Sequence, residues 1–280
     1  MGDEWSLVLF TLLAQASVGM IAVSQFTPEV ENKTGLLVLR WAIGTMAASL
    51  LVSLTHLGDP FGAYRALYHV GSSWLSREIW FASGFFGLSL LLYWQVQKGA
   101  RLQSPLGKAA AVLGVLMLIS MSFIYVETSV YAWSTAYTHV TFFGAAAALG
   151  ALAYSAVIMR VQADTPVVLY SRVFAAGAVG AGLQLLSLAP YLAALAAGSA
   201  SMQATAGLLH RHIWLLAASQ LLLIAGAAGF PFVAWEKYAV KGGSAAGKWV
   251  YLGLAAVIAG ELASRYLFYA TGVHTMLGHL

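Results

Sequence analysis

The chain has 280 residues, 60% of them hydrophobic and only 9% charged, with a formal net charge of +4 and a mean hydropathy of +0.80. An ordinary soluble domain carries roughly 25% charged residues, so a soluble globular protein is excluded. There is no cysteine, which removes disulfides, thiolate zinc sites, thiol catalysis and any iron–sulfur cluster held by this protein.

A helix crossing the bilayer needs about 20 apolar residues, and the sequence supplies eight such runs. They are predicted at about Trp5–Gln25, Leu36–Thr55, Glu78–Gln95, Gly107–Tyr125, His139–Met159, Val167–Leu188, Arg211–Val233 and Lys248–Ala270. The runs are continuous and rich in Ala, Leu and Gly, unlike the short alternating segments of a transmembrane barrel. The expected fold is all-α: one membrane-embedded domain over residues 1–280, a bundle of eight transmembrane helices. The opening MGDEWSLVLF lacks the basic start and small-residue cleavage site of a removable signal peptide, and Trp5 reads as an interfacial anchor. Two connections are long, Gly58 to Arg77 and Pro190 to His210. In each, apolar residues recur at helical spacing (Tyr64, Leu67, Tyr68; Tyr191, Leu192, Leu195), the pattern of short interfacial helices.

The basic residues orient the bundle. Ten of the 14 lie on or beside the odd-numbered connections: Lys33, Arg40, Lys98, Arg101, Lys108, Arg160, Arg172, Lys237, Lys241 and Lys248. In a membrane protein such an excess reports the cytoplasmic side, not a nucleic-acid partner. Both termini and the 56–78 connection are therefore expected on the outer face. The seven histidines, His56, His69, His139, His210, His212, His274 and His279, all fall at or near that same face. A two-haem wire across the bilayer needs axial ligands near both faces, so a transmembrane dihaem cytochrome is not expected. A single outer haem remains open, and an absorption spectrum decides it.

The stretch from His56 to Glu78, HLGDPFGAYRALYHVGSSWLSRE, crowds charged, aromatic, Gly and Pro residues between two apolar runs. His56 closes one run and Glu78 opens the next, so both end at one membrane face. Histidine exchanges protons near neutral pH, and a partly desolvated glutamate can be raised into that range. Two such groups suit a quinol whose hydroxyls lose protons while its tail stays in lipid. Tyr64, Arg65, Tyr68 and His69 are close enough in sequence to complete the pocket. The alternative is an ordinary interfacial loop whose polar groups meet lipid headgroups.

Ionisable groups inside spans are expensive and usually functional. Glu261 and Arg265 in AGELASRYLFYA are four apart on the last helix, share a face, and are expected to form a structural ion pair. Gln15 is a buried amide needing a partner, either another helix or a ligand. Glu127 reads as a solvated loop carboxylate. A competing reading makes the protein an eight-span carrier that binds a small anion through Glu261, Arg265 and a sixth helix broken near Pro190. No convincing internal repeat supports that reading.

Four blocks carry a resemblance: EWSLVLFTLLAQASVG, THLGDPFGAYRALYHVGSSWLSREI, AWSTAYTHVTFF and GELASRYLFYATG. Through them the sequence resembles the membrane-anchor subunits of dimethyl sulfoxide reductases, the DmsC-like proteins, along its whole length. The resemblance implies a bacterial inner-membrane, haem-free anchor in anaerobic respiration that handles menaquinol and carries no metal. It implies two partners, an iron–sulfur subunit of ferredoxin type with four clusters and a molybdopterin catalytic subunit, docked on the periplasmic face. Such an anchor does not act on the terminal substrate. The family's menaquinol-site histidine and glutamate map onto His56 and Glu78. Arg65, Gln15, Tyr64 and His69 are further quinol-binding candidates from their own chemistry and position, and at Arg65 and His69 this sequence departs from the compared family member.

Overall fold

A computed structural model of the protein describes residues 2–27, 30–55, 63–161, 167–241 and 243–274. Among these there are helices and no strands. Eight helical segments are long and apolar enough to cross a membrane, as the hydropathy pattern predicts. In lipid each backbone N–H and C=O must be paired within its own segment, which leaves helices as the solution for continuous apolar runs.

The spans are α1 (Gly2–Gln25), α2 (Asn32–Leu54), α3 (Trp74–Gln97), α4 (Pro105–Val126), α5 (Ala136–Val161) and α6 (Val167–Ala197). A short α7 (Ala200–Arg211) follows. The seventh span is α8 (Ile213–Ile224), a π-helical turn (Ala225–Gly229) and α9 (Phe230–Lys241), and α10 (Gly243–Ala270) is the eighth. An even number of crossings returns the chain to the side where it began, here called the N-terminal face.

Two expectations are corrected. The sixth helix is not broken at Pro190: α6 runs through it to Ala197. Proline removes one N–H and one bond to the preceding turn, and a helix in lipid tolerates that loss better than a fully opened backbone. The interfacial helix expected between Pro190 and His210 accordingly starts later, at Ala200, beyond the Tyr191–Leu195 pattern. Among the described residues of the 56–78 connection the helical spacing yields a 3-10 turn, Ala63–Leu67, in place of an interfacial α-helix.

Helix α5 is the centre of the bundle, buried along most of its length, with α1, α6 and α10 packed on it. Small residues permit this. Gly19 on α1 and Gly150 on α5 meet backbone to backbone: a Cβ at Gly19 would collide with the Ala146 carbonyl, and one at Gly150 with Gly19 itself. Gly144 and Gly180 make a similar contact between α5 and α6, where a Cβ at either would lie 2.7 Å from the other's carbonyl oxygen. Close approach of this kind replaces the hydrophobic drive that is missing between helices in lipid.

The start of α3 is set by Ser73, whose hydroxyl accepts a hydrogen bond from the Ser76 N–H (3.3 Å). Ser73→Ala should lower anchor stability by about 1 kcal/mol, read as an earlier unfolding midpoint in detergent.

Candidate functional site

Glu78 sits one turn inside α3 and is only 4% exposed. Its Oε1 is buried and accepts no hydrogen bond from the described residues. The connection before it is fastened to the same helix. Arg77 donates from Nε to the Val70 carbonyl (2.8 Å) and from Nη2 to the Gly71 carbonyl (2.6 Å), and Trp80 Nε1 donates to the Leu67 carbonyl (3.1 Å). Arg77 also lies over the Trp74 ring, 4.2 Å from its centroid. Trp74 stacks on Phe123 of α4 at 4.4 Å. Phe123 in turn touches His139 of α5, whose Nδ1 is 2.8 Å from the Ser122 hydroxyl.

Below this layer two phenols meet. Tyr269 of α10 donates to the Tyr125 hydroxyl of α4 at 2.7 Å, and both are buried. Trp133, Phe142 and Phe268 wall them in, with Trp133 Nε1 donating to the Phe268 carbonyl (2.8 Å). Glu78 is within electrostatic reach of both phenols.

Tyr269 is also the outermost rung of a polar ladder. Glu261, Arg265 and Tyr269 are four residues apart on one buried face of α10, and Thr11 and Gln15 are four apart on the facing side of α1. Thr11 pairs with the Tyr269 hydroxyl, and Arg265 Nη2 donates to Gln15 Oε1 (3.3 Å). Gln184 of α6 donates to Glu261 Oε1 (2.9 Å). Arg265, 3% exposed, also lies over the Phe142 ring at 3.9 Å. The two charges thus share a face, as their spacing predicts, while their hydrogen bonds run to other helices. Several polar atoms here have no partner among the described residues: Arg265 Nε and Nη1, Gln15 Nε2 and Gln184 Oε1.

The other sequence candidates lie apart from this buried set. Tyr64, Arg65 and His69 are exposed; Arg65 covers the Tyr64 ring at 5.9 Å, and Tyr64 meets the exposed Tyr68 edge-on at 6.3 Å. Gln15 is fully buried and tied to Arg265, away from the loop. His56 lies outside the described residues. Glu127 is exposed at the end of α4, as expected. Tyr125, Tyr269 and Trp74 belong to the site's surroundings and were not among the candidates. The four-residue spacing of Glu261, Arg265 and Tyr269, matched by Thr11 and Gln15, was the available signal.

Among the described residues no cluster of three or more His, Cys, Asp or Glu side chains is placed to hold a metal ion. A roomy apolar groove of about 400 Å³ lies between α1, α2, α5 and α10, lined by Leu13, Trp41, Leu149, Arg160 and Tyr251 among others. Among the described residues that line it there is no carboxylate and no histidine, Glu78 included.

The family described as "DMSO reductase anchor subunit (DmsC)" matches residues 1–271. The protein is 29% identical to YnfH, a component of an anaerobic dimethyl sulfoxide reductase of Escherichia coli K12, over 98% of its own length and 96% of that relative. It is 26% identical to the C subunit of the anaerobic dimethyl sulfoxide reductase of the same organism, with the same coverage. Against the corresponding C subunit of Haemophilus influenzae it is 31% identical over 50% of its own length and 53% of that relative. With eight apolar spans and a match along nearly the whole sequence, this protein belongs to the DMSO reductase anchor subunit (DmsC) family and is a multi-pass membrane anchor.

Proposed function

We propose that this anchor oxidises menaquinol at a site built on Glu78 and His56, near the periplasmic face of the bacterial inner membrane. The quinol head loses its two protons to these residues, and its two electrons leave singly to a four-cluster iron–sulfur subunit, which passes them to a molybdopterin catalytic subunit. Both termini lie on the periplasmic side, in keeping with the concentration of Lys and Arg on the odd-numbered connections.

The observation that carries this reading is the Glu78 carboxylate. A buried acceptor without a donor costs about 1–3 kcal/mol. Its position, one turn inside α3 and beside the polar connection, supports a ligand that brings a hydroxyl to it from the lipid. The sequence has no cysteine to bind a cluster, so electrons leaving the quinol need a partner's cofactors.

The test is binding of a fluorescent quinol-site inhibitor to the membrane complex. Wild type should bind one inhibitor per anchor, and His56→Arg should lose binding while the anchor still co-purifies with an iron–sulfur and a molybdenum subunit. Undiminished binding in His56→Arg, or an anchor that purifies without those partners, would sink the reading.

A further inference from the structure

The groove of about 400 Å³ between α1, α2, α5 and α10 has no part in quinol oxidation as proposed above, and its walls are selective in their own right. Besides the Trp41 indole, three of its lining side chains carry a polar group. The Thr45 hydroxyl donates to the Trp41 carbonyl (2.7 Å), and the Tyr251 hydroxyl donates to the Ala156 carbonyl (3.3 Å). Both are thereby satisfied within the protein. Arg160 is not: it is exposed, and its guanidinium has no hydrogen-bond or ion-pair partner among the described residues. The groove is therefore dry along its length and cationic at one end.

We propose that one anionic phospholipid occupies this groove, its phosphate on Arg160 and an acyl chain laid along the helices. The length fits. Arg160 stands in the last turn of α5, and Leu149 lines the groove eleven residues earlier, about 16 Å along the helix axis. Lining residues on α1 (Leu9 to Met20) and α10 (Tyr251 to Leu262) cover the same rise. Half of a hydrocarbon core of about 30 Å is about 15 Å, so a chain anchored at Arg160 reaches the bilayer midplane where the groove ends.

The charge fits as well. Helix α5 starts on the N-terminal face and ends on the opposite one, beside the odd-numbered connections where Lys and Arg concentrate. Basic pockets between spans at such a face take anionic headgroups. The arginine stem can lie along apolar wall while its planar head meets the phosphate with two parallel N–H bonds. A quinol's isoprenoid tail would match the walls but leave Arg160 without a counter-charge. A basic residue in a last turn also suits the helix dipole. The dipole alone gives no reason for four helices to part along that length.

The test uses the intact membrane complex, purified in detergent and stripped of lipid. It is titrated with dioleoyl phosphatidylglycerol or dioleoyl phosphatidylcholine in mixed micelles, and native mass spectrometry counts the lipids retained per anchor. Wild type should retain one phosphatidylglycerol and prefer it about fivefold or more, the ratio expected from one basic residue's attraction to anionic lipid. Arg160→Gln should bind the two lipids equally. Ala153→Phe places a ring in the groove and should lose both. Both variants should bind the quinol-site inhibitor as wild type does. The Arg160 side chain is exposed, so Arg160→Gln decides the matter even if Ala153→Phe fails to fold. Equal affinity of wild type for the two lipids, or an undiminished preference in Arg160→Gln, would overturn the assignment. So would a quinone, recovered before stripping, that Ala153→Phe displaces: the groove would then belong to a quinol tail.

Discussion

Glu78→Gln should slow quinol oxidation by about 100-fold or more, while the assembled complex is recovered in wild-type amounts. Glutamine fills the same volume and still offers a carbonyl oxygen to a quinol hydroxyl, so binding should weaken only a few-fold. What it lacks is a base. A positioned general base contributes typically 10²–10⁴-fold, and 100-fold corresponds to about 2.7 kcal/mol in the barrier. Glu78→Lys should do more harm, because it adds a second buried cation near Arg265 and the phenol pair. The measurement is the rate at which the partner's clusters are reduced after rapid mixing with quinol. The rate for artificial reductants that bypass the anchor should not change. Retention of more than about half the wild-type quinol rate in Glu78→Gln would place the base elsewhere, with His139, two aromatic rings away through Phe123 and Trp74, the next residue to substitute.

Gly19→Leu and Gly150→Leu should each abolish the folded anchor. At either position the first carbon of a side chain already overlaps backbone atoms of the facing helix, which cannot move aside as the tip of a side chain would. Adding methylenes to a well-packed interior costs about 1–3 kcal/mol where neighbours can yield. Here α1 must leave α5, which pulls Gln15 from Arg265 and Thr11 from Tyr269. Against a total stability of about 5–15 kcal/mol that loss is decisive. Gly87→Leu is the control: a Cβ there meets nothing within 4 Å, and leucine is the better helix former. The Gly19 and Gly150 variants should give no monodisperse peak in detergent chromatography, and Gly87→Leu should elute like wild type.

The span pattern was legible because lipid permits so little else. An uninterrupted apolar run of adequate length has to be a helix, so each of the eight predicted runs is a helix, the sixth continuing past its expected end at Leu188 to Ala197. Glu78 was legible for a related reason: a carboxylate at the start of an apolar run stands out against a nearly uncharged background. Pro190 was misleading. Its ring marks a break in most soluble helices, and the sequence does not display the neighbouring helices that let α6 continue. The phenol pair was hidden altogether, since Tyr125 and Tyr269 are 144 residues apart and tyrosines near span ends ordinarily read as interfacial anchors. The closeness of Gly19 to Gly150 was equally invisible, because the sequence has 28 glycines and nothing local separates the two that touch from the rest.

The bond between Gln15 and Arg265 spans 250 residues, and this has a bearing on how the protein is made. At translation rates of about 5–20 residues per second, the amide waits on the order of tens of seconds for its guanidinium to be synthesised. Through that interval α1 sits in the bilayer with an unsatisfied side chain, and Gln184 and Tyr125 are in the same position, since their partners also lie on α10. Helix α10 therefore acts as a keystone: its arrival brings Gln15 of α1, Tyr125 of α4 and Gln184 of α6 one hydrogen-bond partner each in a single event. A polypeptide truncated before Glu261 would leave each of them with exposed polar groups in lipid, a ready mark by which membrane quality control could tell an unfinished anchor from a complete one.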